Sequence, residues 1–177
     1  MQMKITIEEM KQVESAKAEL EKLALQVSAK LATAKQSAIN EACKEFKAYF
    51  AAKKFEITGS AWNLIATYGS IVFKLDVKNS PTGGAECMVL HFPEMVKLPP
   101  LAVYPEAKRE QAAAEAAPAI VTSQSPLADI RLKIDKMLER LNAPAPQWFF
   151  YTLDAHGSGG QRKDYATFVR FLNEESP

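Results

Sequence analysis

Cysteine and histidine are scarce in this sequence, which holds two of each in 177 residues. Cys43 and Cys87 match neither a CxxC pair nor a zinc-ligand spacing, so we predict no disulfide framework and no metal site. His91 lies four positions after Cys87 in an expected strand, where extended geometry separates the two side chains by more than about 10 Å. We therefore predict no catalytic residues and no cofactor.

No excess of one charge and no long apolar run is present either. Lys and Arg number 22 against 21 Asp and Glu, whereas a dedicated nucleic-acid binder usually carries a strong basic excess. No segment approaches the roughly 18 apolar residues that span a bilayer, and the first residues lack the apolar core of a secretory signal. We expect a cytoplasmic protein with no membrane partner.

Glycine and proline are absent from residues 6 to 54. Apolar side chains recur there at steps of three and four, which predicts one amphipathic helix of roughly 70 Å. Residues 1–54 are thus predicted to form a coiled-coil-like stalk that seeks another helix. We expect a homo-oligomer, most simply a dimer, whose helix-pairing interface consists of Leu20, Leu23, Val27 and Leu31.

The remaining residues, 55–177, predict a small α+β head. Alternating apolar and polar residues between turn signals predict strands near 62–67, 71–77, 86–92 and 147–153. Helical spacing predicts helices near 127–141 and 164–174, and the proline-punctuated segment near 93–126 is predicted to be a linker. The fold class is α+β, with a small antiparallel sheet covered by two or three helices.

A glycine-rich loop follows the last predicted strand, with the sequence His-Gly-Ser-Gly-Gly-Gln-Arg-Lys over residues 156–163. Its order differs from the P-loop and from the dinucleotide fingerprint, so a surface connection is the favoured interpretation and anion binding the alternative. An enzyme built on Asp154 and His156 lacks a nucleophile beside them. The candidate contacts for a partner or an anion are Trp148, His156, Gly159, Gly160, Arg162 and Lys163.

Four consecutive aromatic residues occupy positions 148–151. In a strand they must divide between the two faces, with Trp148 and Phe150 on one face and Phe149 and Tyr151 on the other. One pair is expected to pack in the core, and the other is expected to need a cover. Packing against a helix or a partner is favoured over the stacking of nucleic-acid bases.

These patterns together favour a non-enzymatic protein–protein interaction module that acts by helix pairing and partner occlusion. An adaptor, an assembly factor or an inhibitor fits this description, and the alanine-rich composition is typical of a bacterial or phage protein. The alternative is a nucleic-acid-associated protein with a lysine-rich helix face. Its candidate contacts are Lys30, Lys44, Lys47, Lys53, Lys54, Arg131 and Lys133.

Overall fold

The computed structural model describes residues 6–79, 84–108, 125–153 and 161–177. A long helix, α1 (Ile7–Ala52), precedes the strands, and the predicted α+β class is confirmed. The strands are β1 (Glu56–Ser60), β2 (Asn63–Tyr68), β3 (Ile71–Asn79), β4 (Ala85–His91), β5 (Leu101–Ala107), β6 (Trp148–Leu153) and β7 (Arg162–Tyr165). A 3-10 turn (Glu94–Val96) and the helices α2 (Pro126–Asn142) and α3 (Phe168–Glu175) complete the described elements.

The helix α1 is continuous over 46 residues, as its uninterrupted spacing predicts. It begins with a capping box, in which Thr6 Oγ1 accepts a hydrogen bond from the Glu9 amide while Glu9 Oε2 accepts one from the Thr6 amide. The bond from the Thr6 amide, together with a second one that the Thr6 hydroxyl donates to Glu9 Oε2, lowers the pKa of the exposed Glu9 carboxyl. The helix ends before Lys54, whose φ of 65° is incompatible with further helical turns.

The chain divides into two compact units, and the division differs from the predicted boundary near residue 54. One unit contains residues 1–33 and 109–145, and the other contains residues 34–108 and 146–177. The division falls within α1, whose apolar side chains belong to a different core on each side of it. Leu23 belongs to a helix–helix core in the first unit, whereas Phe46 and Phe50 belong to the sheet core of the second.

In the first unit, α2 packs on the N-terminal part of α1. Their shared apolar cluster consists of Ala16, Leu20, Leu23, Leu127, Ile130, Ile134, Met137 and Leu141. Lys30 Nζ donates hydrogen bonds to the carbonyls of Leu141, at 2.8 Å, and Ala143, at the C-terminal end of α2. This ammonium satisfies carbonyls that the helix itself leaves unpaired.

In the second unit, the seven strands follow chain order, and each is antiparallel to the next. The C-terminal part of α1 and the helix α3 cover one face of this sheet, which we call the inner face. Its core includes Ile39, Phe46, Phe50, Leu64, Phe73, Leu75, Met88, Leu90, Val103, Phe150, Phe168 and Phe171. Alternate residues of each strand therefore point to the opposite, outer face.

Three observed strands differ from the predicted set. Of the predicted linker near 93–126, the part at 101–107 is the strand β5, and residues 109–124 lie outside the described residues. Pro99, Pro100 and Pro105 suggested an irregular crossing, yet Leu101–Ala107 is a strand between β4 and β6. The ladder to β4 ends at Val103, so Pro105 has no partner strand on the side where its missing amide would donate. The short strands β1 and β7 escaped prediction because each has only one or two apolar residues.

Candidate functional site

An aromatic cluster on the outer face of the sheet is the most distinctive surface feature among the described residues. Tyr104 lies in β5, Phe149 and Tyr151 in β6, and Arg162 in β7, so three neighbouring strands contribute. None of these side chains belongs to either apolar core of the described residues. We call these four residues, together with Glu106 and Asp164, the outer aromatic cluster.

Two of the three rings of the outer aromatic cluster are stacked on each other, and Arg162 lies near the third. Tyr104 and Tyr151 are cross-strand partners whose ring centroids lie 5.2 Å apart at an interplanar angle of 20°. Arg162 Cζ lies 4.0 Å from the centroid of Tyr151 and 5.4 Å from that of Phe149. The Tyr151 ring therefore contacts both a second ring, from β5, and a guanidinium, from β7.

The charge of Arg162 is balanced within the cluster. Its Nε donates to Asp164 Oδ1 at 2.6 Å, and a terminal nitrogen donates to Glu106 Oε2. The hydrogen bond to Asp164 and the bond to Glu106 raise the pKa of the guanidinium. Two carboxylates thus hold the Arg162 guanidinium over the aromatic rings.

This geometry opposes base stacking and phosphate binding. A stacking platform needs a free ring face, and the central ring, Tyr151, is already in contact with the Tyr104 ring and the Arg162 guanidinium. A phosphate needs a cation without a partner, and Arg162 already contacts two carboxylates. What the surface offers is tyrosine, phenylalanine and an oriented arginine with a polar rim, the composition of energetically important positions in protein interfaces.

The other predicted contacts do not join this cluster. Lys163 points to the inner side of β7, where it contacts Glu175, whose Oε1 also accepts from Tyr165 Oη at 2.6 Å. This arrangement ties α3 to β7, a structural role. His156, Gly159 and Gly160 lie outside the described residues.

Trp148 faces the inner side of the sheet and is half-buried. It lines a cleft of about 190 Å³ with Glu45 and Thr167. Glu45 Oε2 accepts from the Val169 amide at 3.0 Å, so this carboxylate caps the N-terminus of α3. The structure therefore places Trp148 and Arg162 on opposite faces of the sheet.

The predicted helix-pairing residues are largely covered within the chain. Leu20 and Leu23 pack with α2, and Val27 is buried. Only Leu31 is exposed, at 46% of its surface. The partner helix that this seam requires is thus present in the same chain, as α2.

The predicted lysine face is divided between the two units. Lys30 is half-buried because it caps α2, and Lys53 Nζ lies 4.7 Å from the ring centroid of Tyr49. Lys44 Nζ pairs with Glu41 Oε1 at 2.6 Å. The exposed residues of this set also include Lys47, Lys54, Arg131 and Lys133.

The remaining reactive side chains form no site among the described residues. Burial raises the pKa of both thiols, Cys43 and Cys87, and leaves them poor nucleophiles. His91 Nε2 lies 3.0 Å from Asp76 Oδ2, an isolated pair on the outer face. Within the described ranges there is no group of three or more metal-ligating side chains, and no helix there is long and apolar enough to cross a membrane.

Sequence reasoning missed Tyr104, Glu106 and Asp164. The segment Val103–Ala107 contains an alternation that points Tyr104 and Glu106 to one face, but Pro105 within it obscured the signal. No protein-family model, curated protein or solved structure matches this chain.

Proposed function

We propose that this protein is a non-enzymatic interaction module, of the adaptor, assembly-factor or inhibitor type, and that the outer aromatic cluster is its contact surface for a partner protein. The observation that carries the proposal is the stack of Tyr104, Tyr151 and Arg162 outside the apolar core. Such a stack has no role in covering the core. Both tyrosines are half-buried, so part of each side chain remains accessible to a partner.

The chemistry of the cluster specifies the kind of partner surface. Stacked rings lose little conformational freedom on binding, because Arg162 and the cross-strand pairing already hold them. The carboxylates of Glu106 and Asp164 and the two tyrosine hydroxyls form a polar rim around this apolar centre. A complementary partner therefore presents apolar side chains surrounded by hydrogen-bond donors.

Self-association through the long helix is no longer needed to explain the apolar seam. Leu20 and Leu23 are sheltered by α2, so the predicted homodimer has no support from exposed apolar surface at those positions. The contact surface for a partner is accordingly the outer face of the sheet instead of α1. The proposed role is still the occlusion or bridging of another protein.

The test is site-specific photocrosslinking in cells of the source organism. The full chain carries a benzoylphenylalanine at Tyr151 or, as the control position, at the exposed Leu132 of α2. We expect a discrete protein adduct from position 151 that the second substitution Arg162→Ala weakens about tenfold or more, and none from position 132. Adducts with nucleic acid, or equal adducts from both positions, would reject the proposal.

A salt titration with the purified chain separates the two functional classes. Nucleic-acid binding falls steeply with salt and weakens when Lys44, Lys47 and Lys53 are changed. Binding of a partner protein through the outer aromatic cluster instead fails with Tyr151→Ala and is little affected by those lysines. A single-stranded oligonucleotide that binds the wild type with a steep salt slope would favour the nucleic-acid alternative.

A further inference from the structure

A second surface lies at the β1 edge of the sheet, between that strand and the exposed side of α1. The groove has a volume of about 510 Å³. Its lining residues are Lys44, Lys47, Ala48, Ala51, Ile57, Thr58, Gly59 and Leu64. All of them belong to the sheet-containing unit, and none belongs to the outer aromatic cluster. Six of the eight carry no charge, so the lining of the groove is largely apolar apart from the two lysines.

The backbone of β1 has open hydrogen-bonding positions on the side away from β2. Within the described residues β1 pairs with β2 alone, which makes it an edge of the sheet. Ser60 and Asn63 are the last register pair before a two-residue turn, and successive pairs of an antiparallel ladder alternate between hydrogen-bonded and non-hydrogen-bonded. Alternate residues of β1 therefore direct their amides and carbonyls to the free edge.

The two lysines of the groove favour a ligand that carries negative charge. No carboxylate among the described residues pairs with Lys47. Lys44 pairs with Glu41, but 71% of the Lys44 side chain is exposed, and exposed ion pairs of this kind contribute little stability. Both ammonium groups are thus available to carboxylates of a bound molecule.

From these observations we propose that the groove binds an extended, acidic segment of a partner protein as an added strand beside β1. The segment alternates acidic and apolar residues: its apolar side chains contact Ile57, Ala48 and Ala51, its carboxylates contact Lys44 and Lys47, and its backbone pairs with the free edge of β1. Strand addition of this kind takes affinity from backbone hydrogen bonds and specificity from alternate side chains. A nucleic acid fits less well, since it needs cations and ring faces rather than the paired donor and acceptor of a strand edge.

The test uses fluorescent heptapeptides and the full chain labelled with 15N. The acidic set alternates Glu or Asp with Val, Leu, Ile or Phe, and the matched set carries Lys in place of the acids. We expect the acidic set to bind at least about tenfold more tightly and to shift the amide resonances of Ile57 and Gly59. N-methylation of alternate peptide amides is expected to abolish this binding.

The matched variants are Lys47→Glu and Lys53→Glu, which change the net charge equally. Lys53 lies beside Tyr49 and does not line the groove. Lys47→Glu is expected to weaken the acidic peptides about tenfold and Lys53→Glu to leave them unchanged, while Tyr151→Ala leaves groove binding intact.

Three results would overturn the inference: equal binding of both peptide sets, resonance shifts away from β1, or tighter binding of a single-stranded oligonucleotide than of any peptide. A mass doubling on light scattering that Lys47→Glu abolishes would likewise reject it, because the occupant would then be a second copy of the chain.

Discussion

Leu23→Ala tests whether the apolar seam of α1 is completed by α2 of the same chain. Leu23 is 8% exposed and contacts a cluster that includes Ile134. Truncation of a buried leucine costs about 2–5 kcal/mol, depending on how far the cavity collapses. Several neighbours of Leu23 are only half-buried, so the site can relax and the lower half of that range applies, about 2–3 kcal/mol.

The appropriate measurement is hydrogen exchange along α2, because it reports local opening of the helix pair rather than unfolding of the whole chain. A loss of about 2–3 kcal/mol corresponds to a decrease of roughly 30- to 150-fold in the protection of α2 amides. The strands β2 to β4 should keep their protection. Leu25→Ala is the matched control, since Leu25 is 73% exposed and its truncation should change protection little.

Light scattering on the same proteins separates internal pairing from dimerisation. Internal pairing predicts that the mass of the wild type and that of Leu23→Ala are equal at every concentration. If the wild type is instead a dimer that Leu23→Ala dissociates, while protection of α2 is unchanged, then α2 is not the partner of this seam and the reasoning is wrong.

Three further outcomes follow from the sheet-containing unit. Glu45→Ala removes one of the two side-chain acceptors at the N-terminus of α3, the other being the N-cap Thr167, and should reduce the free energy of unfolding in urea by about 1 kcal/mol, whereas Glu41→Ala on the exposed face should have little effect. Burial alone would raise the pKa of the Glu175 carboxyl, but its hydrogen bonds with Lys163 and Tyr165 outweigh burial and lower that pKa below 4.5. The contribution of Glu175 to stability is therefore fully present above that pH and is lost as the pH falls further. Glu175→Gln should consequently reduce the decrease of the urea midpoint at acidic pH. Gly59→Ala should lower the melting temperature, because φ is +103° and the new Cβ would meet Asn63 O at 2.0 Å.

The elements that sequence periodicity predicts are those whose pattern is long and local. The absence of glycine and proline from residues 6 to 54 predicts α1, and alternation predicts β3, where Phe73 and Leu75 are buried and Lys74 is exposed. Neither pattern shows which other helix or strand an apolar face packs against. The seam of α1 required a second helix, and only the structure identifies it as α2, more than a hundred positions later in the chain.

Part of the candidate site could not be predicted from the sequence for the same reason, namely that it depends on packing between distant segments. Tyr151 is visible in the sequence as one of four consecutive aromatics, but the face it shares depends on β5 and β7, which are irregular or short in sequence. Pro105 hid Tyr104, although the ladder to β4 ends before that proline and the strand tolerates it. Cross-strand register, a long-range property, brings Tyr104 to Tyr151, and it brings Arg162 to Tyr151 and Phe149.

Register also changes the chemistry inferred for Arg162. Beside a glycine-rich loop, an arginine suggests an anion site, because the sequence shows the cation and not its neighbours. In the folded sheet, Glu106 from β5 and Asp164 from β7 balance its charge, and the guanidinium lies over the Tyr151 ring. These carboxylate partners disfavour anion binding by Arg162 and support the proposal of a protein-contact surface.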